Sequence, residues 1–141
     1  MSESEIGVAQ AFVRMINRQD VAALAELMSP DHRFTDSLGN VVAGREKMRG
    51  AWAAYFSMVP DYSLAIDEFY ESGPAVVMLG AAQGTYSADG TLKDENRWNT
   101  PVALRAMVRE GLISEWQVYA DNEPLRERMR RPGPAGRTGS A

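Results

Sequence analysis

The fold of this chain is decided by residues 62–86, YSLAIDEFYESGPAVVMLGAAQGTY. Two long runs of apolar, aromatic and β-branched residues meet there at Ser72-Gly73-Pro74. Glycine, proline and serine are residues that tight turns require, and a joint this short makes the two runs antiparallel neighbours. The stretch therefore predicts a β-hairpin with strands at residues 62–71 and 75–86.

Two further extended runs continue the hairpin toward the C-terminus. They cover Lys93 to Arg109 and Leu112 to Asp121, and they are joined by Asp89-Gly90 and Glu110-Gly111. These dipeptides are again typical of tight turns. The pattern of extended runs and turns in the second half of the chain thus predicts a meander of four strands. A short helix from Asn122 to Met129 is expected to follow it.

The first half of the chain predicts three helices instead. Residues 5–17 carry apolar side chains at the i, i+3, i+4 and i+7 spacing of one buried stripe. A second stripe runs from the N-cap Asp20 to Met28, and a third occupies residues 45–59. Between the second and third helices, residues 32–37 alternate as a short strand.

Helices followed by a strand meander predict an α+β fold. We expect a cone-shaped roll, in which a curved antiparallel sheet carries the three N-terminal helices on its concave face. The domain should cover residues 1–129. Residues 130–141, RRPGPAGRTGSA, contain nothing large and apolar to bury, so they are expected to form a flexible tail.

Composition narrows the classes of partner. The 141 residues carry a formal net charge of -4, so no positive field favours nucleic acid. Cysteine is absent, and no apolar run approaches the roughly 20 residues of a membrane span. No phosphate loop, dinucleotide fingerprint or metal-binding cluster is found. We expect a cytoplasmic protein without metal or cofactor that acts on a hydrophobic small molecule.

Asp36 is the first candidate catalytic residue. It shares a strand face with Phe34, so it points into the core if Phe34 does, and burial there would raise its pKa toward that of a general base. Alternatively, Asp36 begins the turn at residues 37–40 and caps backbone amides. His32 lies on the same face but about 13 Å away along the strand, and it is either a second catalytic candidate or a structural residue.

Asp121 is the third candidate catalytic residue. It reaches the pocket only through a bulge if the Trp116 face of its strand points inward, and otherwise it caps the last helix. Aromatic residues supply the candidate ligand contacts, although each could equally belong to an ordinary core. These residues are Phe12, Phe34, Trp52, Tyr55, Trp98 and Trp116.

Three motifs carry a family resemblance. The stretches DHRFTDSLG (31–39) and AGREKMRGAWAAYF (43–56) resemble the first strand and third helix of ketosteroid isomerases, and REGLISEWQVYADNEPL (109–125) resembles the final strand of SnoaL-like proteins. Together with the order of elements, they make residues 5–129 similar to the nuclear transport factor two-like superfamily. The resemblance implies a curved sheet around an apolar pocket.

Within that superfamily, individual positions separate the activities. Asp36 matches the carboxylate of ketosteroid isomerases, but Phe12 stands where those enzymes keep a tyrosine. Val118 replaces the aspartate of limonene epoxide hydrolases, and His32 is the only histidine where scytalone dehydratases need more than one. Asp121 is the nearest match to the aspartate of SnoaL-like cyclases, offset by one position.

Two functions remain open. The first is a cofactor-independent isomerase or aldol-type cyclase in which Asp36 is the base, and Asp121 or Tyr55 stabilises the enolate. The second is a non-catalytic module that binds an apolar ligand or serves as a dimer scaffold. We also expect a homodimer through the outer sheet face, because strand parity places Met107 there.

Overall fold

The computed structural model describes residues 4–130, which form four α-helices and one six-stranded sheet. In chain order the elements are α1 Glu5–Arg18, α2 Val21–Leu27, β1 Met28–Thr35, β2 Val41–Ala43, α3 Arg45–Met58, β3 Ser63–Ser72, β4 Ala75–Thr85, a 3-10 turn Asp94–Asn96, β5 Arg97–Arg109, β6 Leu112–Ala120 and α4 Glu123–Arg130. The predicted α+β fold class is confirmed. The predicted tail lies outside the described residues, except for Arg130, which ends α4.

The strands are ordered β2-β1-β6-β5-β4-β3 in a curved sheet that does not close. Strands β3 to β6 form the expected antiparallel meander. One pairing differs from the prediction, because β1 runs parallel to β6. Parallel neighbours require a long crossover, and here the whole chain from β2 to β5 supplies it. The sheet is therefore mixed.

The bend of the sheet has a local cause in β3 and β4. A β-bulge interrupts their register between Ile66 and Glu68. Directly opposite, a Cβ atom added to Gly80 would lie 2.0 Å from the Ala65 carbonyl oxygen. Only glycine permits so close an approach of two backbones. The pair bends there, and the concave face forms.

The helices cover this concave face. α1 buries a stripe that includes Phe12 and Ile16, and it packs across β3 to β6. Asn17 fixes its position, since its side chain donates to the Leu64 carbonyl at 3.0 Å and accepts from the Leu64 amide at 2.7 Å. α3 packs on β1 and β2 and on α2. None of the helices within residues 4–130 is long and apolar enough to cross a membrane.

Three predicted boundaries shift. Met28 begins β1 rather than ending α2, and Pro30 lies inside the strand. Proline cannot donate a ladder hydrogen bond, and the pairing of β1 with β6 is accordingly irregular between Met28 and Arg33. β1 also ends at Thr35, before the predicted Ser37. β5 begins at Arg97, because the residues before it form the 3-10 turn.

The prediction that Met107 is exposed on the outer face is wrong. Only 8% of Met107 is accessible, and the Arg105 guanidinium donates to its sulfur at 3.2 Å. The long arginine side chain covers the methionine within the same chain. Exposed apolar surface on this face comes instead from Tyr70 and Tyr119.

Candidate functional site

A pocket of about 280 Å³ opens between β1, β2, α3 and the start of α4. Ligand sites usually span about 300–1,000 Å³, so this pocket suits a small compound. Eleven residues line it: Phe34, Asp36, Ser37, Val42, Met48, Ala51, Trp52, Tyr55, Tyr62, Val118 and Asn122. Among these eleven, Asp36 alone carries a formal charge.

Four of the lining residues form a structure that we call the aromatic box: Phe34, Trp52, Tyr55 and Tyr62. The Trp52 ring lies at 73° to Phe34 and at 89° to Tyr55, with centroids 6.3 Å apart in both pairs. The Tyr55 ring lies at 86° to Tyr62, with centroids 5.0 Å apart. Edge-to-face geometry of this kind is favourable for aromatic pairs. The planes of neighbouring rings in the box are thus nearly perpendicular to one another.

The chain brings these rings together in different ways. Trp52 and Tyr55 are three residues apart on α3, so they project from the same side of the helix. Tyr62 follows the end of α3, in a loop that is pinned to β4 by Asp61. The Asp61 carboxylate accepts from both the amide and the hydroxyl of Thr85 at 2.7 Å. Tyr62 is thus held against Tyr55.

The box also presents hydrogen-bond donors. Burial raises the pKa of Tyr55 well above its usual range, and burial together with the neighbouring Tyr55 does the same for the pKa of Tyr62. Both phenols therefore stay protonated at neutral pH. The Trp52 indole nitrogen is buried and has no hydrogen-bond partner within residues 4–130. Because that nitrogen is inaccessible, the hydroxyls of Tyr55 and Tyr62 are the donors that the box could offer to a ligand.

Asp36 lies in the pocket wall, as predicted, but its environment differs from the prediction. Its Oδ1 accepts from the amides of Leu38 and Asn40, each at 2.9 Å, and Oδ2 accepts from the Asn40 side chain at 3.2 Å. Desolvation raises the pKa of Asp36, but these bonds outweigh it, so the pKa lies below its ordinary value. The expected deep burial and raised pKa are wrong, because Asp36 begins the turn after β1.

Ser37 and Asn122 join two distant parts of the pocket rim. The Asn122 side chain donates to the Ser37 hydroxyl at 2.7 Å across 85 residues of sequence. Ser37 follows β1, and Asn122 directly precedes α4. The bond therefore ties the first strand's turn to the C-terminal helix at the pocket mouth.

His32 does not line the pocket. Its side chain is fully buried, and Nδ1 lies 2.8 Å from the Ile113 carbonyl oxygen. A carbonyl only accepts, so Nδ1 carries the proton and Nε2 is left without a partner in the described structure. Burial lowers the pKa of His32, and the Ile113 bond and nearby carboxylates offset only part of this effect. The structural alternative fits His32 better than the catalytic one.

Asp121 is exposed and lies outside the pocket lining. Its Oδ1 accepts from the Glu123 amide at 2.9 Å, at the start of α4. The Trp116 face of β6 points inward, so the carboxylate lies on the opposite side, where it accepts from the first amide of α4. Within residues 4–130, no three histidine, aspartate or glutamate side chains come together in a way that could hold a metal ion.

The six predicted aromatic contacts divide evenly. Phe34, Trp52 and Tyr55 line the pocket, whereas Phe12, Trp98 and Trp116 do not. The last three are no more than 4% exposed and belong to the core. Trp116 instead packs on Phe12, with ring centroids 4.6 Å apart.

Sequence reasoning missed Ser37, Tyr62 and Asn122. Tyr62 had a usable signal, because a helix that ends near Pro60 leaves the next large aromatic residue close to that helix's last turn. Ser37 and Asn122 had none. Their contact depends on the pairing of β1 with β6, which nothing in either segment indicates.

Three solved structures with similar folds are each 20% identical to this chain and therefore show the fold alone. A hypothetical protein with a ketosteroid isomerase-like fold from Catenulispora acidiphila, in complex with trimethylamine, has a TM-score of 0.74 over 86% of this chain and 90% of that one. IdmH from Streptomyces antibioticus, a proposed polyketide cyclase, has a TM-score of 0.75 over 90% and 99%. TerC, co-crystallised with polyporic acid, has a TM-score of 0.72 over 87% and 95%.

At the level of sequence, no curated protein matches the chain. The family model of the SnoaL-like domain matches residues 9–116. That range begins in α1 and ends in β6, and it includes every pocket-lining residue except Val118 and Asn122. This chain belongs to the SnoaL-like domain family.

Proposed function

We propose that this chain binds a small, largely apolar molecule in the pocket, against the aromatic box. One observation carries the proposal: a pocket of about 280 Å³ whose walls are mostly apolar and aromatic, with a single charged residue among its lining. Apolar walls with a few placed polar groups are typical of small-molecule sites. The trimethylamine and polyporic acid complexes of the two similar structures agree with this use of the fold.

Asp36 orients the ligand in this proposal. A carboxylate that already accepts three hydrogen bonds is stabilised in its ionised form, and its lowered pKa makes it a weak base at neutral pH. Its remaining lone pairs can still accept a hydrogen bond from a ligand. His32 and Asp121 take no part, because neither lines the pocket.

Proton transfer next to a carbonyl group is the second candidate function. It is favoured by the neutral phenols of Tyr55 and Tyr62, which can donate to a developing enolate oxygen, and by the likeness to IdmH. Asp36 would be its base. Asp36→Asn should then abolish turnover while ligand binding persists. If the wild type shows no turnover and Asp36→Asn loses ligand binding, the binding function is favoured instead.

A thermal-shift screen against steroid, polyketide and terpenoid libraries tests ligand binding. A compound that binds only the folded state raises the melting temperature. Tyr55→Leu should reduce the shift by removing one wall of the box. Tyr119→Leu is the matched control, because Tyr119 is half exposed on the outer sheet face. Absence of any shift, or equal shifts in both variants, would contradict the proposal.

We also propose that two copies pair through the outer sheet face. Tyr119 aligns with Ala103, and Ala103 aligns with Leu79, so this row is apolar across three strands. Such a face is commonly covered by a symmetric partner. Sedimentation should give a dimer at micromolar concentration and a monomer for Leu79→Arg. A monomeric wild-type chain would refute the pairing.

A further inference from the structure

The residues that line the pocket carry charge of one sign only, which is negative. Of its eleven lining residues, none is lysine, arginine or histidine, and Asp36 is an aspartate. The carboxylate is held by the Leu38 and Asn40 amides, which favour its ionised form. An anionic ligand would be repelled by this charge, whereas a cation would be attracted.

The aromatic box offers a second attraction of the same sign. The face of an aromatic ring carries negative electrostatic potential, and a cation within about 6 Å of a ring centroid is stabilised by it. In the box, neighbouring rings meet edge to face at 73° to 89°, so their planes are turned in different directions. Rings set at corners are suited to surrounding a rounded group from several sides.

The type of cation follows from the walls. Val42, Met48, Ala51 and Val118 contribute apolar surface and no oxygen ligands. Against these four side chains a metal ion or a primary ammonium group would lose strong hydration without replacement. The oxygen atoms of the pocket lie elsewhere, on residues that include Asp36, Ser37 and Asn122. An alkylated ammonium group is itself apolar on its surface and needs few hydrogen bonds.

We propose that the ligand of this pocket is a small organic cation with a tertiary or quaternary ammonium group, held by the aromatic box and balanced by the Asp36 carboxylate; this rests on the small-molecule function proposed above. The ammonium group replaces water against the ring faces. Asp36 supplies a fixed countercharge at the rim.

The test compares two probes that differ by one atom. Choline and 3,3-dimethylbutan-1-ol have the same shape, but a charged nitrogen in the first replaces a carbon in the second. Binding is measured by calorimetry and by quenching of tryptophan fluorescence at low ionic strength. Choline should bind on the order of tenfold more tightly, which is the scale of a desolvated cation–π contact.

The variant Asp36→Asn tests the contribution of the carboxylate separately from that of the aromatic box. Asparagine keeps a side-chain oxygen for the turn amides, so the turn should survive while the charge is lost. The preference for choline should fall several-fold. Asp89→Asn is the matched control, since Asp89 also accepts from a turn amide, that of Thr91 at 2.9 Å, but does not line the pocket. It should leave the preference unchanged, and melting temperatures verify that both variants are folded.

The possible outcomes distinguish failure of the cation preference from failure of the proposed small-molecule binding. Equal or tighter binding of the neutral alcohol would overturn the cation preference and leave small-molecule binding intact. The cation preference is likewise overturned if neither probe binds but a neutral library compound does. If no compound of any charge binds, the proposed function itself fails. Equal loss of preference in Asp36→Asn and Asp89→Asn would also refute the role of Asp36.

Discussion

Two aromatic clusters lie on the same concave face, and only one of them leaves space. The closed end consists of Phe12, His32 and Trp116, all of them at most 1% exposed. Its closest ring centroids, those of Phe12 and Trp116, are 4.6 Å apart. In the aromatic box the adjacent centroids are 5.0 to 6.3 Å apart, and a pocket of about 280 Å³ adjoins them. Similar residues thus build a core at one end and a cavity at the other.

The difference arises from where β1 stops. Up to Thr35, β1 lies beside β6, and its residue His32 packs against Phe12 of α1. At Asp36 the chain turns away, so the β6 residue Val118 has no β1 neighbour and faces the pocket instead. A cavity under a sheet therefore depends on the end of a strand more than on the residue types around it.

The largest effect is expected at the closed end. Trp116→Ala should lower the free energy of unfolding by about 3–5 kcal/mol, because a fully packed site cannot collapse around the lost ring. Urea unfolding followed by circular dichroism measures the loss. The control Leu92→Ala, at a half-exposed residue in the loop before the 3-10 turn, should change it by less than about 0.5 kcal/mol.

A smaller effect is expected at the open end. Phe34→Ala should cost roughly 1–2 kcal/mol, since Phe34 is only half-buried and already borders empty space. The same urea experiment applies. If Phe34→Ala costs as much as Trp116→Ala, the pocket is filled in solution and the contrast between the two ends is wrong.

The smallest effect is a pH dependence that belongs to His32 alone. Its pKa is lowered in the folded state, so the unfolded chain binds a proton more readily. Stability should therefore be complete above the ordinary histidine pKa of about 6.5 and fall as the pH drops below it, by no more than about 1.4 kcal/mol per pH unit. Unfolding of the wild type and of His32→Asn is compared between about pH 7.5 and 5.5, which brackets that pKa.

Asparagine can retain the donor to the Ile113 carbonyl but cannot take up a proton in this range. The variant should therefore show a flatter dependence than the wild type. Parallel curves would mean that His32 is reached by solvent, and that the closed end is less closed than its burial indicates.

Local patterns predicted most of the fold but less of the site. The apolar stripe of α1 and the Ser72-Gly73-Pro74 turn each act over a few residues, and both elements formed as expected. Pairing of β1 with β6 is a property of the whole chain, and no local pattern predicts it. Strand parity alone correctly predicted that Asp36 lies beside Phe34 in the pocket wall. It could not predict the lowered pKa of Asp36, because the amides that cause it belong to the turn after the strand.

Three of the six aromatic candidates lie outside this pocket for a related reason. Trp98 and Trp52 have the same residue type and similar burial, at 4% and 6% exposed, and both belong to the core, yet only Trp52 also borders the pocket. Either position removes the apolar indole ring from water, so hydrophobicity does not distinguish them. The distinction depends on what packs against each ring, which the sequence near a single residue does not contain.

The parallel pairing of β1 and β6 has a consequence for how the chain folds. The meander needs only short loops, but β1 must wait for a partner about as distant as the 81 residues between His32 and Ile113. Closing such a loop carries an entropic cost that slows the formation of non-local pairs. During synthesis, β1 therefore remains without its β6 partner until residues 112–120 have left the ribosome. The ligand pocket, tied together by Ser37 and Asn122, then assembles only after β6 and α4 are available.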